Sequence, residues 1–398
     1  MKIILLAGSF YPKISGSATA TYLIAKDLSK RGHNITVVVD EGNKQLLKNE
    51  DLPFNVEYIN SYIDFALGNV GFRDVTIQLH NLLKKSNFDI LHTFSYMPMF
   101  LFSLMRDLYE FPVIFTFWNT PYKKQRAFGL YKEPELDLQL AKNIIQMQKY
   151  DQLILGSKCS YESALFLGAD PKITNFTYHG IDIDEFNTDL KNNSNLDLRL
   201  YFGNNLTNND ILITLPGRIT QQKGIKEGIE AFALVNKIYP SKLLLTGMID
   251  PYSESFAKEI RDLASTLGVS NKVLIPNKII LRRHMPEIYK RSNIVITPSY
   301  YEGLGFTAIE ALALGIPLVA TNVPGLNEVG IDGYNCLMVP PKNSKKLAES
   351  ILTLLKNKSL ANQLASNGPE SIQKFDMSKF VDFIEESYTN IIFRKQNA

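Results

Sequence analysis

Ile294-Val295-Ile296-Thr297-Pro298-Ser299-Tyr300-Tyr301-Glu302-Gly303-Leu304-Gly305-Phe306-Thr307-Ala308-Ile309-Glu310 holds a strand, a turn and a helix start in one stretch. The β-branched run Ile294–Thr297 fits a strand buried on both faces. Pro298 and two glycines then turn the chain, and a helix is expected from Phe306–Thr307. Backbone N–H groups at that start, with the helix dipole, form an anion site suited to a phosphate group. Glu302 in the loop and Glu310 in the early helix bracket the turn. A carboxylate repels phosphate but accepts hydrogen bonds from sugar hydroxyls. A phosphate nest between two hydroxyl acceptors is what a sugar nucleotide requires.

The same unit recurs on both sides of this stretch. Ile3–Ala7 is a short apolar run, followed by the loop Gly8–Ala18 and a helical pattern over Thr19–Arg31. Ile35–Val39, Ile90–His92, Val113–Phe117 and Gln152–Leu155 continue the series. Ile211–Leu215, Leu243–Leu245, Val273–Ile275, Ile294–Thr297 and Leu318–Ala320 form a second series, with helical patterns such as Glu227–Ile238 and Glu254–Leu267 between them. Strands alternating with helices predict α/β units with mostly parallel sheets covered on both faces. Such sheets take ligands at the carboxyl ends of their strands. Between Asp184 and Asp210 the composition turns rich in Asn, Asp and Leu, which reads as a connection between two units of similar size. The division expected is a first domain over 1–185 and a second over 205–377, with an amphipathic helix near Lys379–Ile392.

Composition excludes several classes. The chain has 398 residues, 45% apolar and 21% charged, which is globular. Forty-three basic against 40 acidic side chains give +3, too balanced for nucleic-acid binding through bulk charge. Residues 1–189 carry 19 basic and 21 acidic groups and the remainder 24 and 19, so the second unit is the one that favours a phosphate-bearing ligand. Cys159 and Cys336 are too few for a disulfide framework or a Cys-rich zinc site and suit a reducing compartment. Met97–Met105, the most apolar stretch, is about half of the ~20 residues a membrane crossing needs. The opening Lys2–Gly8 run lacks a cleavage pattern and reads as a first buried strand rather than a leader.

Two further loops fall at predicted strand ends. Pro216-Gly217-Arg218-Ile219-Thr220-Gln221-Gln222-Lys223-Gly224-Ile225 follows the strand Ile211–Leu215. The Arg218 guanidinium offers a fork matched to phosphate oxygens, and Lys223 adds a mobile point charge. Together they could neutralise a departing diphosphate. The first loop, Ser9-Phe10-Tyr11-Pro12-Lys13-Ile14-Ser15-Gly16-Ser17-Ala18, carries small residues before a helix, which permits close backbone approach to a ligand. It lacks the three glycines of a dinucleotide fingerprint.

Arg218 with Lys223-Gly224, the Glu302…Glu310 pair, and Glu-Ala-Leu-Ala-Leu-Gly-Ile-Pro-Leu-Val-Ala-Thr over 310–321 resemble a retaining family 4 glycosyltransferase of the Glu-x7-Glu type. The likeness runs on through Gly325, Glu328, Gly333 and Pro340, and takes in Phe10-Tyr11-Pro12…Gly16 and His179-Gly180-Ile181-Asp182…Phe186. It implies a GT-B fold, two Rossmann-like domains with parallel sheets facing an interdomain cleft. The first would bind the acceptor and be joined by the C-terminal helix 378–398; the second would hold the donor. The implied activity moves a sugar, of hexosyl or N-acetylhexosaminyl type, from a nucleotide diphosphate sugar such as a UDP sugar to an acceptor hydroxyl with retention. No cofactor and no metal are implied. By position, Arg218 and Lys223 hold the donor diphosphate, and Glu302 contacts the donor sugar. Leu304, Gly305, Phe306 and Thr307 cradle phosphate, Glu310 binds the ribose hydroxyls, and Gly16 and Ser17 approach from the other domain.

The sequence departs from that pattern in two places. Ser15-Gly16-Ser17 stands where relatives often have paired glycines. In Thr116-Phe117-Trp118-Asn119-Thr120, Trp118 stands where many relatives carry a histidine beside the donor sugar. An indole exchanges no protons, though its N–H donates and its face stacks on sugars. Trp118 and His92 are therefore the acceptor-side candidates, each with a core role as the alternative. His33 reads as structural, while His80 and His284 show no partner. Asp182-Ile183-Asp184 has the look of a metal-binding pair but falls in the segment matching the domain junction. Lys123, Lys124, Arg126 and Lys132, interleaved with Tyr122, Phe128 and Tyr131, could meet an anionic acceptor or lipid headgroups, with a solvated loop as the alternative. A catalytically silent nucleotide-sugar-binding subunit and a GT-B sugar-nucleotide epimerase are the rival functions. Expected partners are the nucleotide-sugar donor and a glycan, lipid-linked or small-molecule acceptor, with no nucleic acid. The expected location is cytoplasmic, with peripheral contact at the inner membrane face left open.

Overall fold

In the computed structural model, residues 1–8, 10–11, 16–48, 50–59, 72–85, 87–118, 120, 135–187, 196–204, 206–247, 249 and 253–397 are described. They divide into two units, one within Met1–Gly180 and Phe375–Ala398, the other Ile181–Lys374. The stretch beginning at Asp184 opens with a short helix, Ile183–Asn187, that is part of the second unit.

The first unit is built on a seven-stranded sheet in the order β3-β2-β1-β4-β5-β6-β7. Its strands are β1 Lys2–Leu6, β2 Asn34–Asp40, β3 Asn55–Ile59, β4 Ile90–Thr93, β5 Val113–Phe117, β6 Gln152–Leu155 and β7 Thr174–Phe176. Every pairing is parallel, for example Ile3↔Ile35 and Leu5↔His92. Central strands such as Val-Ile-Phe-Thr-Phe in β5 are wholly buried, because helices cover both sheet faces. The C-terminal helix Met377–Gln396 packs on this unit. Arg31 donates to Asp382 and Glu385, and Lys395 pairs with Asp151 at 3.0 Å. Its N-terminus is capped by Asp376, whose carboxylate accepts from Ser378 N–H.

The second unit has a six-stranded, all-parallel sheet in the order β10-β9-β8-β11-β12-β13. The strands are β8 Ile211–Leu215, β9 Ser241–Leu245, β10 Val273–Leu274, β11 Ile294–Thr297, β12 Leu318–Thr321 and β13 Leu337–Val339. Their order reverses between β8 and β11, which pair through Ile213↔Ile294 and Thr214↔Val295. At such a reversal the loops leaving the two strands diverge to opposite faces and open a crevice. Two α/β units with parallel sheets are what the alternating sequence pattern predicted, and their Rossmann-like form is what the family resemblance implied. Among the described residues no helix is long and apolar enough to cross a membrane.

Candidate active site

The β8 and β11 loops meet at the reversal point of the second sheet. Lys223, in the single 3-10 turn Gln221–Lys223, donates its Nζ proton to Glu302 Oε1 at 2.7 Å. Both side chains are nearly enclosed, 13% and 10% exposed. Ser299 Oγ donates to the same oxygen at 2.7 Å, which leaves Glu302 Oε2 to accept from a ligand. The backbone ties the loops as well: Tyr300 N–H donates to Gln222 O at 2.8 Å, and Gln222 Nε2 donates to Tyr301 O at 3.0 Å.

Two glycines allow this approach. Gly224 is left-handed at φ +62°, and a Cβ there would lie 2.0 Å from the Pro298 carbonyl oxygen. Gly325, at φ +83°, brings the loop after β12 against Glu302, where a Cβ would lie 2.2 Å from the Glu302 carbonyl oxygen. Only glycine fits both the dihedral and the space. Glu302 N–H in turn donates to Pro324 O at 3.2 Å, so the loop after β12 holds the backbone of this residue.

Past Glu302, Gly305 caps the helix Phe306–Ala313 with no side-chain cap and no acidic residue in the first turn. Leu304, Gly305, Phe306 and Thr307 thus form a positive helix tip without a side-chain cap, following Glu302 in the chain. Arg218, in the same loop as Lys223, is exposed, and its guanidinium makes no hydrogen bond or ion pair among the described residues.

Glu310 lies one helical turn inside and is 8% exposed at its side chain. Its Oε2 accepts from the Tyr289 hydroxyl at 2.8 Å and its Oε1 from Arg282 Nη1 at 3.3 Å. Burial pushes its carboxyl above the usual range, and Arg282 and Tyr289 pull part of that back. Burial works against the Arg282 charge too, but Glu310 and Glu185 outweigh it and hold the guanidinium up. Sequence reading missed Arg282, Tyr289 and Glu185.

In the first unit, Gly16 and Ser17 open the helix Gly16–Lys30, where Thr21 Oγ1 donates to Ser17 O at 2.9 Å. Ser9, Pro12, Lys13, Ile14 and Ser15 lie outside the described residues. So does the Tyr122, Lys123, Lys124, Arg126, Phe128, Tyr131 and Lys132 cluster. Trp118 is half-buried just beyond β5, stacked on Phe94 with centroids 5.4 Å apart and edge-on to His179 at 5.1 Å. Its Nε1 is buried and finds no hydrogen-bond partner among the described residues.

His92 is a correction to the sequence expectation. It is fully buried, with Nδ1 against the Tyr388 hydroxyl and Nε2 against Thr116 Oγ1, each at 2.7 Å. Both ring nitrogens are used inside the core, so it offers nothing to an acceptor. Burial lowers its pKa to about 3, and that of His179 to about 4. The remaining histidines have partners that the sequence did not reveal: His33 bonds Glu385, His80 bonds Tyr109, and His284 bonds Tyr201. The Asp182 carboxylate accepts from Glu185 N–H, as a helix cap does. Among the described residues no group of three or more His, Cys, Asp or Glu could hold a metal ion.

Two family models match in tandem, Glycosyltransferase Family 4 over residues 14–185 and Glycosyl transferases group 1 over residues 200–371. An uncharacterised glycosyltransferase of Methanocaldococcus jannaschii is 24% identical, over 94% of this chain and 93% of that protein. The N-acetyl-alpha-D-glucosaminyl L-malate synthase of Bacillus anthracis is 22% identical over 98% and 97%. Among solved structures, the sucrose-phosphate synthase of Thermosynechococcus elongatus superposes with a TM-score of 0.80 at 20% identity, over 99% and 100% of the two chains. Anabaena HepE in complex with UDP-glucose does so with a TM-score of 0.78 at 20% identity, over 98% and 100%.

Proposed function

We propose, for a chain that is a glycosyltransferase built on the GT-B fold, that it transfers a sugar from a nucleoside diphosphate sugar to an acceptor hydroxyl with retention of configuration. The observation that carries this reading is the Lys223–Glu302 bond at the β8/β11 reversal, beside an uncapped helix tip. One ammonium, one exposed guanidinium and one helix start supply the counter-charge a departing diphosphate needs. No metal is required in this route, because Arg218, Lys223 and the tip at Leu304–Thr307 carry that role themselves. Glu302, fixed through Oε1, presents Oε2 to a hydroxyl of the donor sugar. Glu310 receives the ribose hydroxyls.

In the front-face course, the bond between the sugar's anomeric carbon and the leaving phosphate oxygen breaks. The acceptor oxygen bonds that carbon from the same side, and the acceptor proton passes to the phosphate oxygen. Transfer of a hexosyl or N-acetylhexosaminyl group from a UDP sugar is supported by the UDP-glucose complex of Anabaena HepE and the B. anthracis N-acetylglucosaminyl enzyme. Two free cysteines suit a reducing compartment, which supports a cytoplasmic site of action. Trp118 remains the acceptor-side candidate of the first unit.

The test is incubation with UDP and GDP sugars and a panel of hydroxyl acceptors, with the product anomer read by NMR. Retained configuration, and loss of transfer in Glu302→Gln with its melting curve unchanged, are expected. Nucleotide binding without transfer to any acceptor would favour a silent binding subunit. An isomerised donor in the absence of acceptor would favour an epimerase.

A further inference from the structure

Glu310 is held from behind by groups that no phosphate or sugar contact explains. Each carboxylate oxygen has room for two donors; Tyr289 fills one position on Oε2 and Arg282 one on Oε1. Among the described residues no other donor reaches either oxygen, which leaves one position on each, a pair suited to two vicinal hydroxyls. Arg282 is itself fixed at two further points: its Nε donates to Glu185 at 3.1 Å, and its guanidinium lies 5.4 Å from the Phe186 ring centroid. Glu185 and Phe186 both belong to the helix Ile183–Asn187.

We propose that Arg282 is a positioning residue: it aims the Glu310 carboxylate at the ribose hydroxyls of the donor and anchors it, through Glu185, to the Ile183–Asn187 helix. This rests on the reading of Glu310 as the ribose acceptor. Among the described residues the groups acting on Glu310 are Arg282, Tyr289 and Glu185, and Arg282 is the one cation of the three. Without it, two carboxylates share the pocket and only the Tyr289 hydrogen bond offsets the burial of Glu310. Glu310 then takes up a proton more readily, and one of its acceptor positions becomes a donor.

The experiment is calorimetric titration of UDP and 2′-deoxy-UDP, with GDP and 2′-deoxy-GDP in parallel, into wild type, Arg282→Gln and Arg282→Lys. Wild type should prefer the ribonucleotide by about 10-fold, the worth of one hydrogen bond to a charged group. In Arg282→Gln that preference should vanish while the deoxynucleotide affinity holds, and ribonucleotide affinity should fall further from pH 8 to pH 6. Arg282→Lys, which keeps the charge but loses the fork, should retain part of the preference. Equal weakening of both nucleotides, or an unchanged preference in either variant, overturns the role of Arg282 alone. Wild type that binds neither UDP nor GDP overturns the donor reading itself, and the Arg282 assignment with it.

Discussion

Acidification from pH 7 to pH 5 should destabilise the first unit by several kcal/mol, through two buried histidines. His92 and His179 are 0% and 2% exposed, with pKa values lowered by burial to about 3 and about 4. An unfolded histidine titrates near 6.5. Between the folded and unfolded values the unfolded chain binds the proton and the folded chain does not. Stability therefore falls as pH drops below about 6.5 and levels off only below the folded pKa. Across pH 7 to 5 each ring accounts for about 2 kcal/mol of that loss. The depressed Glu385 carboxyl acts the same way but lower, as pH falls below the ordinary glutamate range, so it barely enters this window. Urea unfolding at the two pH values is the assay. The sole tryptophan, Trp118, stacks on Phe94 inside the same unit and supplies the fluorescence signal. His92→Gln should lower the pH-dependent loss by about 2 kcal/mol, whatever it costs at pH 7. If the variant keeps the full wild-type loss, His92 is not the neutral buried group described here.

Other outcomes follow from the same contacts. Tyr388→Phe strands His92 Nδ1 in the core and should cost about 1–3 kcal/mol, measured by the same urea titration at pH 7. Gly325→Ala forces a Cβ into the Glu302 carbonyl at a left-handed φ. It should cost about 1–3 kcal/mol and weaken donor binding, while a loss of stability with donor affinity intact would show that this loop does not hold Glu302. Lys223→Ala should lower kcat/KM for transfer by about 10²-fold, as loss of one group stabilising transition-state charge does, and a wild-type value would remove Lys223 from the mechanism.

The centre of each sheet was legible because strands buried on both faces spell continuous apolar runs. Val113–Phe117, Ile211–Leu215 and Ile294–Thr297 lie where the pattern put them. β3, β7 and β13 went unread. All three are edge strands, and their half-exposed Asn-Val-Glu-Tyr-Ile, Thr-Asn-Phe and Leu-Met-Val lack that signature. The same uniform burial explains the error at His92: every residue of β4 is covered, so nothing local says that its imidazole faces a tyrosine 296 positions away. Lys223, Glu302 and the Gly305 helix start were readable because loop chemistry at strand ends is local. The Glu185–Arg282–Glu310 chain was not, because its members lie 97 and 28 residues apart and meet only through packing.

Calorimetry of UDP against uridine, on wild type and on the Arg218→Ala/Lys223→Ala double variant, bears most directly on the diphosphate site. Wild type should bind UDP at least 100-fold more tightly than uridine, and the double variant should bind the two within about 10-fold of each other, with uridine affinity unchanged. Equal affinity of wild type for UDP and uridine, or a double variant that keeps the full preference, would contradict the account.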